Sequence, residues 1–305
     1  MQSEPQCVPC VIKQCERLVY ALRPNDFGSE QTEQILTKIR HNALDIAAQL
    51  TLQDPPSKFT SQVLAKVYEL LNTNDPYESI KKDENETGKR IYSVAHKEIS
   101  KIPDPIHAAI KYAASGNIID VGPAQIYSAH DPNQTIFDEV NKLAVHPMAL
   151  DDYKVFKEKF RSAERILYIL DNSGEIFLDK LLIERIKGPE ITMVVKASPI
   201  LNDALLADAV SAGLDSLGKI ITVNNDKQSR FLGVDFTLTS DEFNETFENA
   251  DIVIAKGHAN FESLIDCERD CFFILMAKCP VVANKLGVNI KDRVFKYIRP
   301  KETES

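Results

Sequence analysis

The stretch Ile166-Leu167-Tyr168-Ile169-Leu170-Asp171-Asn172-Ser173-Gly174-Glu175-Ile176 decides the fold. Its apolar half has the length of a buried strand. Helical spacing resumes over Glu175 to Lys187, so the polar residues between occupy a strand-to-helix turn. In an open α/β sheet that turn faces the ligand crevice, because the crevice lies beyond the carboxyl ends of the strands and the next helix presents unpaired N–H groups. Asp171 and Asn172 set a carboxylate and a carboxamide oxygen side by side, a pair that suits a hard divalent cation such as Mg²⁺ better than zinc.

Downstream of about residue 160 the same rhythm recurs. Apolar runs at Arg165–Leu170, Ile191–Val195, Lys219–Val223, Ile252–Ala255, Cys271–Leu275 and Arg293–Tyr297 alternate with helical patterns. That alternation predicts an α/β fold with a largely parallel sheet and helices on both faces. Upstream, residues 1–115 read as a mainly helical domain. Apolar residues recur at three- and four-residue spacing over Glu30–Leu52, Pro56–Asn72 and Pro76–Ser100, punctuated by Pro55-Pro56, Asn74-Asp75-Pro76 and Pro103-Asp104-Pro105. Residues 116–305 then form the α/β domain. Between the two rhythms, Asp104–Ser115 and Leu150–Arg161 read as helices and Gly116–Asp120 as a turn.

Composition narrows the function. A formal charge of −9 argues against nucleic acid or an anionic membrane as the main partner. No apolar stretch approaches a membrane span, and the start lacks the pattern of a signal peptide, so the cytoplasm is the expected location. The six cysteines, Cys7, Cys10, Cys15, Cys267, Cys271 and Cys279, are too sparse for a disulfide framework. Cys7 and Cys10 alone are two of the four ligands that structural zinc needs.

Two more segments join the first turn if their strands are neighbours. One runs from Lys196 to Asn202-Asp203, and the other is Lys256-Gly257-His258-Ala259-Asn260-Phe261-Glu262. Asp171, Asn172 and Asp203 then supply three oxygen ligands and leave positions for water or substrate, as in a catalytic cation site. Lys256 before Gly257, with a helix opening behind, makes a phosphate site. Each motif alone has a plainer reading: Asp-Asn-Ser-Gly and Asn-Asp are common helix caps, and Lys-Gly is a common solvated turn. Metal and phosphate sites side by side imply phosphoryl chemistry.

Taken in order, GNIID at 116–120, LDNSGEI at 170–176, Leu201-Asn202-Asp203-Ala204, KGHANFE at 256–262 and the early Cys7-Val8-Pro9-Cys10 resemble the metal-dependent damage-control phosphatases, the domain-of-unknown-function 89 family. The Cys-x-x-Cys is similar to that of its subfamily I. The resemblance implies a helical N-terminal domain on a Rossmann-like three-layer α/β/α domain. It also implies hydrolysis of phosphate esters of small metabolites, sugar phosphates or related compounds, with a divalent ion (Mg, Mn, Co or Ni). By the same resemblance Asp171, Asn172 and Asp203 bind the metal, while Lys256, Gly257, Asn260 and Glu262 hold the phosphate side. Asn117 and Asp120 reach the substrate, and Glu175 or Glu262 orients the attacking water. His258 receives no role.

Two other functions compete. A Rossmann-like transferase using a nucleotide or S-adenosylmethionine would want a Gly-rich turn after its first strand, and neither GxGxxG nor GxGxG occurs. A non-enzymatic metabolite-binding protein would keep the pocket without turnover. The sequence fixes neither the oligomeric state nor the substrate.

Overall fold

The computed structural model describes residues 1–22, 28–49, 51, 53–116, 138, 142, 146–226 and 228–300. Its centre is a seven-stranded sheet in the order β1-β7-β6-β5-β2-β3-β4. The strands are β1 Leu150–Asp151, β2 Arg165–Ile169, β3 Glu190–Val195, β4 Lys219–Thr222, β5 Ile252–Lys256, β6 Cys271–Met276 and β7 Arg293–Ile298. β6, β5, β2, β3 and β4 run parallel, and β7 joins β6 antiparallel. The chain leaves β2 for β3 and β4, then returns to the other flank of β2 as β5. The order therefore reverses between β2 and β5, which makes their carboxyl ends the topological switch point where such sheets bind ligands.

β2 is apolar throughout its interior because both its faces are covered. Ile166 and Tyr168 belong to one core, and Leu167 and Ile169 to the other. On the first face lie α5 (Pro105–Ser115), α6 (Tyr153–Phe160), α7 (Ile176–Ile183) and α8 (Leu206–Ser211). On the second lie α9 (Asp241–Asn249), α10 (Gly257–Leu264) and α11 (Pro280–Leu286). This is the expected α/β/α sandwich.

The N-terminal helices α1 (Cys7–Leu22), α2 (Ser29–Gln49) and α3 (Pro56–Leu70) share a third core, built on residues such as Val19, Leu36, Ile39 and Leu64. That core extends to Ile200 and Leu232, so it rests on loops at the carboxyl edge of the sheet. α4 (Glu78–Ile99) spans the two parts, its Ile91, Ala95 and Ile99 joining the first sheet core. α5, grouped by sequence with the helical residues 1–115, packs on α7, β6 and β7.

Leu150–Arg161 needs a correction. Leu150 and Asp151 are not helical but pair parallel with Val294 and Phe295 of β7, and the helix starts at Tyr153. The open edge of β7 recruits this backbone: Ala149 N–H donates to Arg293 at 2.9 Å and Asp152 N–H to Phe295 at 2.8 Å. So short a strand carries no periodicity of its own.

α4 lies unusually close to the turn after β2. A Cβ on Gly88 would stand 2.1 Å from the carbonyl oxygen of Gly174. Backbone cannot move aside as a side-chain end does, so Gly88→Ala is expected to lower stability by about 1–3 kcal/mol through forced overpacking. Chemical denaturation of the two proteins measures it, and an unchanged midpoint would show that the two backbones are not in contact.

Candidate active site

The switch point gathers most of the polar residues singled out in the sequence. Asp171-Asn172 follows β2, and the loop after β3 carries Asn202-Asp203 back to it. An antiparallel bridge pairs Asn172 with Asp203, while Ala204 N–H donates to the Asp171 carbonyl at 2.8 Å and Ser173 N–H to that of Asn202 at 2.9 Å. Two turns about 30 residues apart in sequence are thereby fixed by backbone, the most rigid coupling available. Leu201 just ahead has φ +45°, a conformation that a branched side chain rarely takes. Its N–H donates at 2.7 Å to the hydroxyl of Tyr68 on α3, which helps to hold it there.

Gly257 explains how β5 comes so near. It has φ +79°, and a Cβ there would lie 1.7 Å from Asp171 Oδ2. Only glycine lets the Asp171 carboxylate and the start of α10 share that space. Asn260, a turn into α10, donates from Nδ2 to the Leu170 carbonyl at 3.1 Å and the Lys256 carbonyl at 2.7 Å, gripping the ends of β2 and β5 together. Its Oδ1 is buried with no partner among the described residues. An orphaned acceptor in a dry site costs roughly 1–3 kcal/mol, so it marks a place for a ligand.

Charge is concentrated beneath. Lys256 is fully enclosed, with Nζ 2.8 Å from Asp179 Oδ1 and 3.2 Å from Glu175 Oε2. Burial works against its charge, but Asp179 and Glu175 more than offset this and hold its pKa above the ordinary lysine value. Glu175 Oε1 in turn accepts Asn172 Nδ2 at 2.7 Å and Asn172 N–H at 3.2 Å. The amide nitrogen of Asn172 thus faces carboxylates, which turns its oxygen the other way. Lys256 acts on the site through its contact with Glu175 and through its charge on Asp171.

Burial first, then the Glu175 and Asp203 carboxylates, raise the pKa of Asp171 well above the usual carboxylate range. Acids crowded in a dry pocket repel one another, and a cation relieves that repulsion. Among the described residues, no three His, Cys, Asp or Glu side chains form a preformed metal cage. The donor set here is mixed, two carboxylates with the amides of Asn172 and Asn260. Oxygen donors of this kind fit a hard divalent ion that keeps part of its water shell.

Two cations escaped the sequence reading. Lys196, buried at the end of β3, lies 3.7 Å from Asp203 Oδ2 and also donates to the Gly233 carbonyl. Burial lowers its pKa, against the pull of Asp203 and Asp171. Lys278, exposed in the loop after β6, acts on Asp171 through its charge, and its N–H is held by His258 Nε2 at 2.9 Å. A lysine directly after an apolar strand was the available signal for Lys196, the same signal that drew attention to Lys256.

Other expected residues fall differently. Glu262 faces α3 and the amino terminus: its carboxylate accepts the Ser57 N–H, and its carbonyl accepts the amino group of Met1. Burial pushes its pKa up to about 7. Asn117 and Asp120 lie outside the described residues. Gly116, the last described residue before them, packs on Glu175, its Cβ position 2.8 Å from the glutamate Cβ.

Comparison with known proteins supplies the family. The model of the damage-control phosphatase ARMT1-like domain matches residues 3–294. The chain belongs to this damage-control phosphatase family. Its relatives include a damage-control phosphatase of Pyrococcus horikoshii, 33% identical over 94% of this chain and 95% of the relative. A damage-control phosphatase of Archaeoglobus fulgidus is 29% identical over 98% of this chain and 100% of the relative. The crystal structure of a DUF89 family protein from Pyrococcus horikoshii superposes with a TM-score of 0.84 at 32% identity, covering 99% of this chain and 100% of that one.

Proposed function

We propose that this phosphatase hydrolyses phosphate esters of small metabolites, sugar phosphates or related compounds, using a divalent cation (Mg, Mn, Co or Ni) held by Asp171, Asn172 and Asp203. The observation that supports the reading is the Asn172–Asp203 backbone bridge at the switch point, which joins the two turns that carry Asp171, Asn172 and Asp203. Bound there, the cation supplies Lewis-acid polarisation of the phosphoryl group and acidifies a water.

The protein's own residues do the rest. Gly257 and the first N–H groups of α10 face the phosphate, and Lys196 and Lys278 balance negative charge that spreads over its oxygens during transfer. Lys256 anchors the Glu175 carboxylate, and Glu175 fixes the rotamer of Asn172. Asn117 and Asp120, on the segment that begins at Gly116, reach the substrate. Glu262 supports the contact of α10 with α3. No helix among the described residues is long and apolar enough to cross a membrane, and a small phosphorylated metabolite met in the cytoplasm is the substrate class we favour.

Metal removal tests this. Chelated, desalted protein is expected to release phosphate from a panel of sugar phosphates at background rate, and addition of one or more of Mg²⁺, Mn²⁺, Co²⁺ and Ni²⁺ to restore turnover. Undiminished hydrolysis by protein shown to be metal-free would overturn the proposal.

A further inference from the structure

α4 sends one more side chain to the site, and the roles above do not use it. Glu84 is buried, and its two carboxylate oxygens accept Asn202 Nδ2 at 3.2 and 3.0 Å. The second oxygen also accepts Ser173 Oγ at 3.3 Å. Ser173 directly follows Asp171-Asn172, and Asn202 directly precedes Asp203. One carboxylate from the helical part thus bonds to both turns that present the oxygen ligands. Four residues on, and so on the same face of α4, Gly88 presses against Gly174 of the first turn.

We propose that Glu84 is a positioning residue for the cation site, setting the spacing of the Asp171-Asn172 and Asp203 turns from behind. The inference rests on the reading of those three residues as cation ligands. A buried carboxyl group is a costly choice for a contact that serves cohesion alone. Beside a cation site an ionised carboxyl would add to the field that holds the ion, and groups bonded behind the segments that carry metal ligands fix the orientation of those ligands. The helical part then contributes to cation binding as well as covering the sheet edge.

The test is Mn²⁺ binding to the full chain, read by calorimetry or by the spin-resonance signal of free Mn²⁺, alongside thermal unfolding without metal. Glu84→Ala is expected to raise the Mn²⁺ Kd about 10- to 100-fold. Glu84→Gln, which keeps an acceptor for Asn202 but loses the charge, is expected to raise it less, and saturating Mn²⁺ restores much of its phosphatase rate. Asn85→Ala is the control. Asn85 is the next residue on α4 and bonds to Asp208 at 2.8 Å, so its loss lowers the melting temperature while the Mn²⁺ Kd stays at the wild-type value. A Glu84→Ala protein that melts lower yet binds Mn²⁺ as the wild type does would overturn the inference. If that variant does not fold, wild-type affinity in Glu84→Gln overturns it equally. If the wild type does not bind Mn²⁺, the same comparison is made with Mg²⁺, Co²⁺ and Ni²⁺, and failure to bind any of the four overturns the cation reading itself, and this one with it.

Discussion

Asp171→Ala is expected to lower kcat/KM for phosphate esters by on the order of a thousandfold, the equivalent of several kcal/mol of lost transition-state stabilisation. The fold should survive. The Asp171 backbone keeps its bond from Ala204, and the carboxylate that disappears is one that burial, Glu175 and Asp203 already disfavour. Metal-free variant is therefore expected to melt no lower than metal-free wild type. Added divalent ion should raise the melting temperature of the wild type alone, because a ligand stabilises only the state that binds it. Kinetics with and without metal, paired with thermal scans, check both halves. Near-normal hydrolysis by the variant would remove Asp171 from the chemistry.

Lys256→Met carries the largest expected cost in stability, about 3–5 kcal/mol, the usual result of deleting one partner of a buried ion pair. The methionine fits the volume but leaves Asp179 and Glu175 facing each other in a fully buried pocket. Even with the lysine present, burial raises the Asp179 pKa to about 6, with Lys256 pulling it down and Glu175 pushing it up. Without Lys256 that pKa rises further above its unfolded value of 3.8. A group whose pKa is raised in the folded state is most penalised above that pKa and relieved as pH falls. The gap between variant and wild type should consequently narrow on going from about pH 7.5 to pH 5. Urea titrations at both pH values measure it, and a variant as stable as wild type at the higher pH would contradict the ion-cluster account.

Much of this was legible in the sequence because the strands are short and apolar on both faces. Each of the six expected strands, β2 to β7, ends within one residue of its expected limits. The Asp171-Asn172 turn stands out for the same reason, as polar residues immediately after such a run, whereas Asn202-Asp203, well beyond the end of β3, is distinguished from an ordinary helix cap only by the family resemblance. Side-chain direction was harder to read. Lys256 and Lys196 share the same sequence context, yet the first is sealed below Glu175 and the second lies against Asp203. Which way each points depends on the neighbouring strand, information that a single strand does not contain. Glu84 was hidden for a different reason. It lies in the mostly polar first half of α4, where a carboxylate that is buried against distant turns looks like its solvated neighbours.

The grip of Asn260 on the carbonyls of Leu170 and Lys256 has a mechanical consequence. It clasps the central seam of the sheet at the point where the pocket opens, so the seam cannot part without dismantling the pocket. Whatever occupies the pocket then acts as a fastener: its binding energy adds to the cohesion of β2 and β5, and breathing of the innermost strands slows when the enzyme is loaded.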